Sequence, residues 1–474
     1  MKKLKLLLLG VLATFFIACN DKSGESAQTI DGVWQSVGYG RIIKIEEGAF
    51  KAAQVTSMSC MVELSGETAI FGEKLYLKED TLRLDDGINR YKFVRIDDAP
   101  AICKDRDTTN YANPVLNFEV VAETFADHYA YFKERNIDWP ATYAKYRKLV
   151  NDSTSDPELY NILEDMLDSF DDGHIGIGAS DEIEEAAATL RSAGEEWGTY
   201  QEDEFKPISG MRVRDSIANH YVDDLKSKVY GFMQWGKINP DVGYLQLNQM
   251  FGFADYGLDE SLEIEEYFQA YFEAAEEDIN HSDNQVLAMR KYMNEVLDDF
   301  ADVEAIIIDV RFNGGGSDEV GMEVLSFFNP EQKQVFSKQA WYQGNLTPEN
   351  KVMLHAGERQ SDKKVYLLIS PESASATEIM TLTSLEIPLV TRIGSETEGV
   401  FSDVFDRELP NGFEIGLSNE VYLSMDGVNY EGKGIPADVP MNYSRNRYEF
   451  FRTLLKDMNA EGDAAIEHVL IKHQ

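Results

Sequence analysis

Two short apolar runs, Val303 to Val310 and Val365 to Ile369, each end in a turn of small residues, and each turn leads into a helix-period pattern. A continuous apolar run of this length reads as a buried strand of a parallel sheet. The first turn is Arg311-Phe312-Asn313-Gly314-Gly315-Gly316-Ser317-Asp318, and the second holds Ser373-Ala374-Ser375-Ala376-Thr377-Glu378. Strand, helix, strand, helix in succession implies an α/β core. Three glycines at a strand end let the backbone approach a ligand and turn its N–H groups inward. A serine at the next helix start sits where free N–H groups and the helix dipole favour developing negative charge. An acyl-transfer nucleophile needs that environment. A Ser-rich helix cap is the plain alternative, and phosphate cradling lacks its Walker-type Lys-Ser/Thr.

Upstream, short alternating segments such as 41–45, 75–77, 81–84 and 91–96, with the turn Asp85-Asp86-Gly87, predict a small antiparallel β domain over 29–104. A helical domain over 113–178 follows. Phe118, Val121, Phe125, Tyr129 and Phe132 recur at helical spacing, and Asp156-Pro157 reads as a cap and first-turn proline. This domain ends at Asp171-Asp172-Gly173-His174, which fixes His174 between a buried helix and the short strand Ile175–Gly178. A histidine held between two rigid elements is a candidate base. Residues 179–240 read as a connecting segment with a helix near 181–193. Residues 241–445 form the α/β core, including an acidic, solvent-facing helical insertion at 255–284 and a hairpin-like pair at 413–417 and 421–425. Residues 446–474 form a helical tail.

Among 474 residues the formal net charge is −40. Such a chain repels phosphate backbones, so nucleic acid is excluded as a partner. Lys2, Lys3 and Lys5 precede an apolar stretch that ends at Phe16-Ile17-Ala18-Cys19, too short and too early for an ordinary membrane span. This resembles a bacterial lipoprotein signal, with residues 1–18 removed, lipid on Cys19 and a tether over 19–28. It implies export and a lipid-anchored place in the cell envelope, on the periplasmic face or the cell surface. Cys60 and Cys103 remain, either as one disulfide or as two buried thiols. Neither has neighbours at metal-site spacing, so no metal and no organic cofactor is expected.

Four landmarks now stand in one order: Asp-Gly-His at 172–174, Asp-Val-Arg-Phe-Asn-Gly-Gly-Gly at 309–316, Ser-Ala-Ser-Ala-Thr-Glu at 373–378, and Glu-Gly-Lys-Gly-Ile-Pro-Ala-Asp at 431–438. The series resembles the tail-specific, or C-terminal processing, serine peptidases, in the branch akin to the tricorn protease core and interphotoreceptor retinoid-binding protein. The resemblance spans about 113 to 443. It implies a core similar to the Clp-protease/crotonase fold and hydrolysis of peptide bonds in proteins or peptides, near C-termini in the tail-specific members. By the same resemblance Ser375 is the nucleophile, His174 the general base and Glu431 its support. The oxyanion donors are the backbone N–H of Ala376 and of Gly315 or Gly316. Three departures stand out. The segment Glu398-Gly399-Val400-Phe401 holds no lysine, which argues against a Ser-Lys dyad. Gly173 stands where the tricorn core has a serine before its histidine. No PDZ pattern is recognisable in 179–238. The competing expectations are an inactive peptide- or lipid-binding lipoprotein on the same scaffold, a carboxylate-based hydrolase, and a crotonase-like acyl-CoA enzyme.

Overall fold

The computed structural model describes residues 29–104, 108–194, 209–259, 261–460 and 462–473. The expected signal and tether, with Cys19, lie outside the described residues, as does part of the connecting segment.

Seven antiparallel strands from Gly32–Ser36 to Asn89–Ile96 make the N-terminal sheet, with Gly32–Ser36 at its centre. Alternation puts Trp34, Ile45, Phe50, Leu82 and Phe93 together as its apolar core. Cys60 and Cys103 are joined as a disulfide that ties the strand Cys60–Glu67 to the helix Ala101–Lys104. Closing a loop across 43 residues of sequence restricts the unfolded chain. Reduction should therefore cost about 2–4 kcal/mol, read as a lower urea midpoint for the reduced chain than for the oxidised one.

Three helices follow, Pro114–His128, Trp139–Arg147 and Asp156–Asp168, each with a proline in its first turn. Asn113 and Asp138 cap the first two by accepting from the N–H of Leu116 and Ala141. The third is capped one residue earlier than the sequence reading places it. Ser155 is the cap, and Glu158 reaches back to its N–H and hydroxyl at 2.8 and 2.7 Å, a reciprocal box that Asp156 does not offer. The aromatic stripe packs inward, and Phe405, Phe413 and Ile415 from far along the chain join the same cluster.

The second large sheet runs in the order Val439–Pro440, Val390–Gly394, Lys364–Ile369, Ala305–Asp309, Val242–Leu247, Met233–Lys237, Lys226–Lys228. The first five strands are parallel, and the last two are added by successive antiparallel pairings. Both faces are buried, which explains the unbroken apolar runs. Ile306, Ile308, Val365 and Leu367 face one cluster with the helices His281–Asp299, Asp318–Ser326 and Ala376–Ser384. Ala305, Ile307, Tyr366 and Leu368 face the other, with Gly210–Tyr221 and the tail helices Arg447–Ala460 and Ala464–Lys472.

Three expectations need correction. The helix Gly210–Tyr221 and strand Met233–Lys237 occupy a stretch whose polar residues hide its pattern; the helix buries only Val213, Arg214, Ile217 and Ala218. The segments near 413–417 and 421–425 do not pair with each other. Glu414–Gly416 pairs with Arg407–Glu408 and with Gly176–Gly178, while Glu420–Ser424 pairs with Lys333–Tyr342. The insertion is helical at Ile264–Glu277 but is not purely solvent-facing, because Tyr267 and Tyr271 are buried in an aromatic cluster.

Candidate active site

The strands Ala305–Asp309 and Lys364–Ile369 are parallel neighbours, so the glycine turn and the serine turn leave the same sheet edge side by side. Two serines stitch them together. Ser370 Oγ donates to the Arg311 carbonyl at 2.7 Å, and Ser373 Oγ to that of Val310 at 2.9 Å. Ser375 differs from both. It is the N-cap residue of Ala376–Ser384 at φ 54°, ψ −124°, and its side chain makes no cap hydrogen bond. A non-glycine residue held there costs about 1–3 kcal/mol. The neighbouring contacts hold it: its N–H donates to the Val400 carbonyl at 3.1 Å, and the first helical turn bonds back to its own carbonyl.

Gly315 packs so closely on Ser375 that a Cβ there would sit 2.7 Å from the Ser375 Cβ and 3.1 Å from the Ala376 nitrogen. The two oxyanion candidates in the glycine turn are not equivalent. The Gly315 N–H is already donated to Asn313 Oδ1 at 2.9 Å. Gly316 bridges to Met250, but the flanking bonds are Met250 N–H to the Gly315 carbonyl and Ser317 N–H to the Met250 carbonyl. Among the described residues no partner is seen for the N–H of Gly316 or of Ala376. Of the two glycines that the sequence offers beside Ala376, Gly316 is the one whose amide is left open, because the Asn313 side chain occupies that of Gly315.

His174 lies at the turn before Gly176–Gly178. Its N–H donates to Asp172 Oδ1 at 3.0 Å, and its ring Nδ1 is buried without a hydrogen bond. Asp172 is fixed in turn by Tyr129 at 2.9 Å and Ser418 at 3.1 Å. Burial lowers the imidazole pKa from its ordinary value. Asp172, the Ser402 backbone and Asp403 act in the opposite direction, and Arg135 adds to the lowering.

Glu431 does not reach the imidazole directly in this structure. Its Oε1 accepts from Arg135 at 2.8 Å and its Oε2 from the Phe401 N–H at 2.9 Å. Burial first, and then the charge of Asp172, push its carboxyl up to about 7, against the pull of Phe401 and Arg135. The stability it lends is thus fully present below its ordinary value of 4.5 and fades as pH climbs through about 7. Arg135 also approaches Asp172 at 3.7 Å, so one guanidinium bridges the aspartate beside His174 and the glutamate.

The segment Glu398 to Asp403 connects these groups. Glu378 is fully buried and accepts from the N–H of Gly399 at 2.8 Å and of Val400 at 2.6 Å; burial raises its carboxyl to about 8. Val400 meets Ser375, Phe401 meets Glu431, and Ser402 faces the His174 ring. Gly173 faces Glu398 and Val400, where a Cβ would find both at an ordinary 3.4 Å. A polar cavity of about 580 Å³ opens here, lined by Arg135, Asp172, Gly173, Glu398, Val400 and Gly432 among others. Sequence reasoning missed Arg135 and Asp403, which belong to none of the four motifs.

Residues 241–441 match peptidase family S41, and residues 112–168 match the tricorn protease C1 domain. A probable CtpA-like serine protease of Staphylococcus haemolyticus is 29% identical over 136 residues, covering 29% of this chain and 27% of that protein. One from Staphylococcus aureus is 22% identical over 334 residues, covering 66% of this chain and 62% of that protein. The chain thus spans about a quarter of the length of the first of these relatives. The crystal structure of a candidate peptidase from Parabacteroides merdae superposes with a TM-score of 0.51 at 22% identity, over 74% of this chain and 98% of that one, a likeness of fold. The α/β core of this chain carries a peptidase family S41 domain over residues 241–441, with a tricorn protease C1 segment at 112–168 before it.

Proposed function

We propose that this chain is a serine peptidase acting on peptide bonds in proteins or peptides, near C-termini as in the C-terminal processing enzymes it resembles. Ser375 Oγ attacks the scissile carbonyl carbon while His174 accepts the hydroxyl proton. The carbonyl electrons move onto oxygen, and the N–H groups of Gly316 and Ala376 donate hydrogen bonds to the oxyanion so formed. Collapse of this intermediate breaks the C–N bond, and His174 returns the proton to the leaving amine. Water then repeats the sequence on the acyl-enzyme, releasing the carboxylic acid and freeing Ser375. Glu431 acts through Arg135 and the Phe401 amide, holding the Asp172 side and the 399–401 side of the imidazole's surroundings in register. We place the chain in the cell envelope, exported by residues 1–18 and anchored by lipid on Cys19.

The observation that carries this reading is the strained Ser375 at a helix start beside the amides of Gly316 and Ala376, which have no partner among the described residues. A fluorophosphonate probe tests it. Wild-type chain should become covalently labelled at Ser375, with loss of peptide hydrolysis in proportion to label. Absence of label in folded protein, with retained binding of peptide or lipid, would favour the inactive binding lipoprotein instead.

The pH profile follows from the environment of His174. Its base form is lost as pH falls through its pKa, and burial places that pKa below 6.5. The acid limb of kcat/KM should therefore have its midpoint below about 6.5, the value of an unperturbed imidazole.

A further inference from the structure

The N-terminal sheet lies outside both matched segments, yet the tip of its last hairpin reaches the back of the glycine turn. Ile88 leaves its own sheet and joins the apolar cluster of the α/β core. Its N–H donates to Glu319 Oε1 at 2.7 Å, and its carbonyl accepts from Asn350 at 3.1 Å. The other oxygen of Glu319 accepts from Ser317 Oγ at 2.9 Å. Ser317 is the residue after Gly316, and its N–H is donated to Met250. One carboxylate therefore joins the hairpin tip to the end of the loop that presents the free amide of Gly316. A side chain at 87 would push the Glu319 carboxylate out of this position. Gly87 has φ +54°, and a Cβ there would fall 1.7 Å from Glu319 Oε1.

A second contact from the same tip reaches the other side of the site. Asn89 Oδ1 accepts from the ammonium of Lys338, which is buried among Asp403 at 3.0 Å, Glu420 at 2.7 Å and Tyr422 at 3.0 Å. Tyr39, also from the N-terminal region, donates to Glu420. The backbone N–H of Glu420 donates to Ser402 Oγ at 3.0 Å. Ser402 and Asp403 are the residues that face His174 from this side, as Asp172 and Arg135 do from the other. The hairpin tip thus touches both halves of the site, each through one charged side chain, the half-buried Glu319 and the buried Lys338.

We propose that the N-terminal sheet is a positioning element of the reaction centre: its tip, Gly87-Ile88-Asn89, sets the Gly316 amide through Glu319 and Ser317, and sets the Ser402–Asp403 segment through Lys338. This rests on the serine-peptidase reading. Glu319, Asn89 and Lys338 are positioning residues, since none touches the reacting atoms. A displaced oxyanion donor weakens transition-state binding far more than ground-state binding, so the effect falls on kcat.

The test uses the full chain, a fluorophosphonate probe and a peptide substrate, with thermal unfolding to check the fold. Glu319→Ala should slow both Ser375 labelling and kcat by about ten- to a hundredfold, with KM within about twofold of wild type. Glu319→Gln keeps an acceptor for Ile88 and should recover most of the rate. Lys51→Ala, an exposed change elsewhere on the sheet, should match wild type. If Glu319→Ala fails to fold, Ser317→Ala cuts the same link with less disturbance and should show the same split between kcat and KM. A labelled wild type whose folded Glu319→Ala or Ser317→Ala variant labels at the wild-type rate overturns the inference alone. A wild type that takes no label removes the peptidase reading, and this inference with it.

Discussion

Ser375→Ala should lower kcat for a peptide substrate by about ten-thousand- to a million-fold while leaving KM nearly unchanged. The residue contributes a nucleophile and little else. Its side chain makes no cap hydrogen bond, and the backbone contacts that fix the turn run through Ser370, Ser373 and Val400. An alanine at the same φ of 54° meets the same backbone strain, so the folded state is retained. His174→Ala should have a similar effect, and the double variant should be hardly worse than either single one, because base and nucleophile act as a unit. Initial rates on a fluorogenic peptide, with the unfolding midpoint as a control, measure all three. Turnover by Ser375→Ala at the wild-type rate would leave the α/β core without its proposed chemistry.

Arg311→Ala should destabilise the fold by about 3–5 kcal/mol, the effect of removing one partner from a buried ionic group. The guanidinium is fully buried and binds Asp309 at 2.9 and 2.7 Å, Asp463 at 2.7 Å and Tyr443 at 3.2 Å. Its loss leaves two fully buried carboxylates without their cation. Asp463 also caps the last helix by accepting from Ala465 and Ile466, so the tail should loosen first. Arg311→Lys should not rescue the loss, since an ammonium cannot bridge Asp309 twice and still reach Asp463. Urea denaturation and proteolysis of the tail measure both effects. An unchanged midpoint would mean that these three charges contribute no net stability.

The parallel strands were legible because burial on both faces writes itself as unbroken apolar runs, as at 305–308 and 365–369. The turns after them were legible because glycine and serine mark where backbone must come close. The helix Gly210–Tyr221 was not, since a helix buried along a narrow stripe among Arg212, Arg214, Asp215 and His220 lacks a clear apolar face. The individual hydrogen bonds of the site were equally hidden. Asn313 lies next to the glycines, but only its side-chain rotamer shows that it occupies the Gly315 amide and leaves Gly316 free. Arg135 sits in the turn between two helices and Lys338 in a strand, both in unremarkable sequence, and their importance comes from partners 296 and 82 residues away. Pairings over such separations leave no local periodicity to read.

The segment from Glu398 to Asp403 holds the backbone of Ser375, accepts the fixing hand of two buried glutamates and faces the imidazole, all within six consecutive residues. A displacement of that segment cannot spare one function and spoil another. Molecules damaged there by heat or mild denaturant would fall silent all at once, so a half-inactivated sample would be a mixture of fully working and fully idle copies, with an undiminished KM in those that still turn over.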